Sequence, residues 1–271
     1  MRVFAGPNGS GKTTLVKSVM ENIGADRIGV LVNADDIERE LNRSNRLNLE
    51  PYGVNLTTES LQRFFEQSGM AKQHDPTALA KYSIDQGHIL LNETLIDSYA
   101  AATLADVLRQ KLLELRISFS FETVFSHESK IEFLQKAKTA GYRVYLYFVG
   151  TEDPLINIAR VAERVRIGGH DVHKDKIMDR YVRGMNLLHS ASSPAYRVYF
   201  FDNSRKPNVL FAERDPNGEI KYRVNEAMIP RREGKTRYTQ HSSNGYCKQC
   251  AGSDIAYFEL CRAGIFCVQG S

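Results

Sequence analysis

The stretch that decides the fold opens the chain: Arg2-Val3-Phe4-Ala5, then Gly6-Pro7-Asn8-Gly9-Ser10-Gly11-Lys12-Thr13, then Thr14-Leu15-Val16-Lys17-Ser18-Val19. The middle segment fills every fixed position of the pattern G-x-x-x-x-G-K-[ST], with an apolar run before it and a helix-forming stretch after it. Its residue types follow from the task of gripping phosphate. Glycines let the backbone curl until successive N–H groups converge on phosphate oxygens. A helix that starts directly after the loop turns its positive end to the same oxygens. A lysine at position 12 supplies a full charge between the outer phosphates, and the Thr13 hydroxyl is suited to Mg²⁺. Gly6 to Thr14 are therefore the expected binding segment for ATP, with Thr13 as the metal-facing residue.

Working outward, strands and helices alternate. Strands are expected at Arg2–Ala5, Gly29–Asn33, Ile117–Phe121, Tyr142–Val149 and Tyr196–Phe201. Helices are expected at Thr13–Asn22, Asp97–Leu115, Glu128–Ala140, Pro154–Arg166 and Lys174–Ser190; in the second, Leu104, Leu108, Leu112 and Leu115 recur at spacings of three and four. Gly141 stands where a helix-ending glycine belongs. This alternation implies an α/β fold of the P-loop NTPase type, a parallel sheet between helical layers. Residues 42–95 read as a polar, mostly helical insertion after the second strand. Val209–Arg214 and Glu219–Val224 flank Asp215-Pro216-Asn217-Gly218, a turn signal for a C-terminal hairpin. From Arg231 the chain turns basic and aperiodic. The domain is accordingly expected over 1–227, with a loosely ordered tail over 228–271.

Composition bounds the function. Of 271 residues 42% are hydrophobic and 25% charged, and the net charge is +4, too weak for a nucleic-acid coat or a membrane-surface protein. No apolar run reaches the roughly 18 residues of a membrane span. Met1–Ala5 leads directly into the glycine loop without a secretory leader, which predicts a cytoplasmic location. Cys247, Cys250, Cys261 and Cys267 all fall in the tail, where they cannot staple a core. Only Cys247-Lys-Gln-Cys250 has half of a zinc spacing, so they read as unpaired thiols rather than a metal site.

Acidic and basic residues past the strand ends supply the remaining chemistry, because ligands bind at that edge of an open parallel sheet. Asn33-Ala34-Asp35-Asp36 follows strand two. Asp35 is the expected base taking the proton of an attacking hydroxyl, with Asp36 as fallback, substrate-side residue or helix cap. Glu122-Thr123 follows strand three and is expected to hold substrate hydroxyls, Glu122 also serving the outer Mg²⁺ shell. Arg160, Arg164 and Arg166 precede Gly168-Gly169-His170-Asp171, forming an arginine-rich lid over 160–172 suited to phosphate oxygens. Asp171 is expected in the lid turn or as a cap, and Arg180 and Arg183 are secondary candidates. Asn203, after strand five, is expected near adenine.

Phe4–Thr14, Asn33–Asp36, Phe119-Ser-Phe-Glu-Thr-Val-Phe-Ser126 and Arg164-Val-Arg-Ile-Gly-Gly-His-Asp-Val172 together resemble the zeta-toxin family of P-loop kinases, over about 1–224. The resemblance implies a sheet of order 2-3-1-4-5 and ATP-dependent phosphorylation of a hydroxyl, in zeta toxins the 3′-hydroxyl of UDP-N-acetylglucosamine. It assigns Lys12 to the phosphate loop and Asp35 to catalysis. Glu122 and Thr123 match the substrate-holding residues, and Arg164 and Arg166 the phosphate clamp. An antitoxin protein is the implied partner. Two further readings remain: a kinase acting on a polynucleotide end or a dinucleotide, and an ATP-binding regulatory module.

Overall fold

The structure is a computed structural model that describes residues 1–67, 81–92 and 95–223. The expected tail and its cysteines lie outside these residues, as do the end of the hairpin at Val224 and parts of the 42–95 insertion. Along the chain run β1 (Arg2–Ala5), α1 (Lys12–Ile23), α2 (Ala25–Ile28), β2 (Val30–Val32), α3 (Ala34–Ser44) and β3 (Arg46–Asn48). A 3₁₀ turn (Glu50–Tyr52), α4 (Thr58–Gln67), β4 (Tyr82–Asp85) and β5 (His88–Leu91) follow. Next come α5 (Ser98–Glu114), β6 (Phe119–Thr123), α6 (Ser129–Thr139) and β7 (Tyr145–Gly150). The remainder is α7 (Pro154–Arg166), α8 (Lys174–Ser192), β8 (Arg197–Asp202), β9 (Val209–Arg214) and β10 (Ile220–Tyr222).

The main sheet has the order β10-β9-β8-β7-β1-β6-β2. Within it β2-β6-β1-β7-β8 is the expected 2-3-1-4-5 arrangement. β1, β7 and β8 run parallel, as do β2 and β6, while β9 and β10 return antiparallel. Strands buried on both faces should be continuously apolar, and they are: Val3, Phe4 and Ala5 in β1 and Leu146, Phe148 and Val149 in β7 have no exposed surface.

The chain divides into two compact units, Met20–Glu122 with Met1, and Arg2–Val19 with Thr123 onward. In the first, α3 and α5 carry the core through Ile37, Leu41, Leu104, Leu108 and Leu112, all fully buried. The 42–95 insertion departs from the expectation in one respect: beside its helices its described residues hold a three-stranded antiparallel sheet of order β3-β5-β4. The end of α3 to Ser44, the 3₁₀ turn and α4 are helical among its described residues. Its strands span three or four residues each and carry Arg46, Asn48, Ser83, Asp85 and His88, so apolar alternation never runs long enough to register.

The second unit packs α7 and α8 through Val161, Ile177, Met185 and Leu188, all nearly or fully buried. α6 ends as read from the sequence. Gly141 sits at φ +87, its N–H reaching the Lys138 carbonyl while Tyr142 N–H reaches that of Ala137. α5 ends in the same hydrogen-bond pattern but with Arg116 at φ +55, which ties Ile117 N–H to the Leu112 carbonyl. Ile117 is thereby spent on closing the helix, and the third parallel strand starts two residues later than expected.

Candidate functional site: the phosphate loop and its surroundings

β1 delivers the chain into a loop that tolerates no side chain at its three glycines. A Cβ on Gly6 would lie 2.2 Å from the Val149 carbonyl oxygen, one on Gly9 2.5 Å from that of Asn157, and one on Gly11 2.3 Å from Asn203 Nδ2. Gly9 and Gly11 also occupy φ values of +75 and +96. The loop is moulded by its neighbours: Gly6 N–H donates to the Thr123 carbonyl at 3.2 Å, and Ser10 N–H to that of Pro7 at 3.2 Å. The Lys12 ammonium donates to the Gly6 and Pro7 carbonyls, each at 2.9 Å, so its charge is held over the loop. Thr13 and Thr14 stand exposed on the first turn of α1.

Three elements of the same unit converge on this loop. From α7, Asn157 is fully buried and its Nδ2 donates to the Asn8 carbonyl at 2.7 Å. The Thr151 hydroxyl donates in turn to Asn157 Oδ1, and Tyr181 on α8 donates to the Thr151 carbonyl at 2.6 Å. Arg180, also on α8, donates to Asn8 Oδ1 at 3.1 Å. After β8, Asn203 Nδ2 donates to the Ser10 carbonyl at 2.8 Å and its N–H to that of Gly150 at 2.9 Å. Arg160 reaches the Ser204 carbonyl at 3.5 Å with one η nitrogen, while its other η nitrogen is buried without a hydrogen-bond partner among the described residues. The Ser10 hydroxyl is likewise buried and unpartnered among them. Buried unused donors beside a glycine loop suit an anion, because their desolvation cost is repaid only when one arrives.

The arginine-rich segment has a defined form. α7 starts on Asp153, whose carboxylate accepts from Leu155 N–H at 2.8 Å, with Pro154 in the first turn. It ends with Gly168 and Gly169 N–H on the Val165 and Arg164 carbonyls, both at 2.9 Å. Arg164 folds over this end and donates to the His170 carbonyl at 2.6 Å. Arg166 is exposed and grips Glu163 through two hydrogen bonds of 2.9 and 2.7 Å. That pairing holds the Glu163 carboxyl below its usual range and raises the Arg166 guanidinium above its own. His173 caps α8, not Asp171: its ring accepts from Asp175 N–H. Arg183 pairs with Asp179 on the surface.

The carboxylates of the other unit are arranged by Asn33. Its side chain caps α3 by accepting from Asp35 N–H at 2.9 Å, and its Nδ2 donates to Glu122 at 3.1 Å. The cap expected at Asp36 lies three residues earlier: Asn33 holds it, and Asp36 pairs instead with Arg39 at 2.7 Å. Asp35 is exposed and makes no ion pair among the described residues. Thr123, by contrast, is buried, and its hydroxyl accepts from Phe125 N–H at 3.2 Å. Asn157 escaped the sequence reading. Its only signal was a polar residue one turn before Val161 on the buried stripe of a helix. Asn203 was singled out for adenine, whereas its amide is spent on the loop backbone. Among the described residues no group of three or more His, Cys, Asp or Glu could hold a metal ion.

The fold and loop define the class: a P-loop kinase-like α/β nucleotide-binding fold. The resemblance read from the sequence is matched by the zeta-toxin family model over residues 96–212, a little under half of the chain. An uncharacterized protein of Haemophilus influenzae is 35% identical over 69 residues, 26% of this chain and 49% of that protein. A chain of the AvrRxo1-ORF1:AvrRxo1-ORF2 structure solved with ATP superposes with a TM-score of 0.51 at 14% identity, covering 82% of this chain and 60% of that one. The PezAT toxin–antitoxin structure of Streptococcus pneumoniae has a TM-score of 0.44 at 16% identity, covering 76% of this chain and 69% of that one. The chain therefore spans about half of the curated relative and three fifths of the AvrRxo1-ORF1:ORF2 chain.

Proposed function

We propose that this chain is an ATP- and Mg²⁺-dependent kinase that transfers the γ-phosphoryl group to a hydroxyl of a small molecule. A nucleotide sugar such as UDP-N-acetylglucosamine is the favoured acceptor, an antitoxin protein the favoured partner, and the cytoplasm the favoured location. The observation that carries the reading is the loop itself, with three glycines that admit no Cβ, a lysine held over it, and a buried Ser10 hydroxyl without a hydrogen-bond partner among the described residues. The zeta-toxin match supports the reaction class, and the ATP in the AvrRxo1-ORF1:ORF2 structure supports the donor.

In this reading Lys12, the loop N–H groups and Arg160 hold the phosphates, and Thr13 holds Mg²⁺. Mg²⁺ held there would supply positive charge against the charge that builds on the leaving oxygen. Asp35 takes the proton as the acceptor oxygen bonds to the γ-phosphorus, the bridging P–O bond breaks, and its electron pair leaves with ADP. Glu122, set by Asn33, and Asp36 hold acceptor hydroxyls. Arg164 and Arg166 act on the transferring group after exchanging their present partners.

The test is to incubate the chain with Mg-ATP and a metabolite extract and to identify the phosphorylated compound by mass spectrometry. Lys12→Ala should abolish labelling and ATP binding together. Asp35→Asn should keep ATP binding but lose transfer by roughly a hundred- to ten-thousand-fold, the usual worth of a general base. Labelling confined to compounds other than nucleotide sugars would retire the favoured acceptor, and equal loss of ATP affinity in both variants would retire the base.

A further inference from the structure

Two asparagines on separate elements each donate to a carbonyl of the phosphate loop, Asn157 to Asn8 at 2.7 Å and Asn203 to Ser10 at 2.8 Å. In a trans peptide the carbonyl of one residue and the N–H of the next point to opposite sides of the chain. Holding the Asn8 carbonyl on α7 therefore turns Gly9 N–H away from α7. Holding the Ser10 carbonyl on Asn203 likewise turns Gly11 N–H away from Asn203. Neither N–H has a hydrogen-bond partner among the described residues.

We propose that Asn157 and Asn203 are positioning residues that fix alternate peptide planes of the loop, so that the Gly9 and Gly11 N–H groups are aligned for phosphate oxygens before nucleotide binds. The inference rests on the reading of the loop as an ATP site and reassigns Asn203 from the base to the phosphates. The surroundings are built for it. Asn157 is fully buried, and its remaining oxygen accepts from Thr151, so the amide cannot flip without losing both bonds. Tyr181 fixes Thr151 from α8. The Asn157 carbonyl oxygen and the Asn203 amide are also the groups that leave no room for a Cβ on Gly9 and Gly11, so the contact is at van der Waals closeness on both sides. A flexible glycine loop loses much entropy when it grips a ligand. Pre-set peptide planes lower that cost.

The experiment is a calorimetric titration of the full chain with a non-hydrolysable ATP analogue plus Mg²⁺ and, separately, with inorganic pyrophosphate, which has phosphates and no base. Asn157→Asp and Asn203→Asp keep size but put an acceptor against the loop carbonyl. Each should weaken both ligands by a similar factor, about tenfold or more, the worth of one well-placed hydrogen bond to a charged group. Binding stoichiometry should stay that of the wild type, since a variant that merely unfolds loses sites instead of affinity. Affinities within about twofold of wild type would overturn the proposal. So would an Asn203→Asp that weakens the ATP analogue and spares pyrophosphate, which marks a base contact. Asn203 is only half-buried, so its variant decides the matter should buried Asn157→Asp fail to fold. A wild-type chain that binds neither ligand overturns the ATP-site reading itself.

Discussion

A methyl group on Gly9 would stand 2.5 Å from the Asn157 carbonyl oxygen at a φ of +75, and neither defect has room to relax. Gly9→Ala is therefore expected to cost about 1–3 kcal/mol of stability and to weaken ATP binding, read from thermal denaturation and titration of the same sample. Unchanged affinity would show that the loop closes on nucleotide in another shape. Such glycines are legible in a sequence because their role is the absence of a side chain, which no other residue supplies. Asn157 and Asn203 do the complementary work and were not legible in that role. Their partners lie 149 and 193 residues away, and an amide announces neither its donor nor its acceptor partner. Asn33 and Asp36 show a milder form of the same limit. Both are good caps, and only the backbone, extended at Asn33, decides between them.

At the scale of elements, length determined what could be read. Of the parallel strands with apolar runs, β1 was read to the residue and β7 with a start three residues early, and α7 matched at both ends because a capping Asp, a Pro and a Gly pair punctuate it. The insertion hid its sheet because its strands are short and polar. The turn between β4 and β5, Gln86-Gly87, has both residues at positive φ, the two-residue turn that suits twisted strands. The 3₁₀ turn before α4 makes a testable contribution. Burial, then Glu40 and Asp36, push the Tyr52 phenol from 10.0 up to about 12. A group whose folded value is raised stabilises fully below its unfolded value and ceases to do so as pH climbs through the folded one. Wild-type stability should therefore fall between 10.0 and about 12. Tyr52→Phe should remove about 3 kcal/mol at most of that fall, measured by urea denaturation across the window. Identical slopes for the two proteins would mean that the phenol is as free in the fold as out of it.

The whole molecule raises the question of where the nucleotide-binding domain ends. We propose residues 1–227, as the sequence suggested, because among the described residues β10 is the outermost strand of the main sheet and every loop-holding residue lies before Arg205. The last tie is electrostatic. Glu213 on β9 is 7% exposed at its side chain and lies between Arg197 and Arg223, each at 2.8 Å. Arg223 N–H also donates to the Phe211 carbonyl at 2.8 Å. A chain cut after residue 227 keeps all of these and should bind the ATP analogue within about twofold of full length, as expected of an independent domain. One cut after residue 219 loses β10 and Arg223 and leaves a buried carboxylate with half its partners, at a cost of about 1–3 kcal/mol before the lost strand is counted. Its melting temperature should drop clearly below that of both longer chains. Were the 1–227 chain to lose nucleotide binding while remaining folded, residues 228–271 would have to belong to the site, and the domain boundary drawn from the hairpin would be wrong.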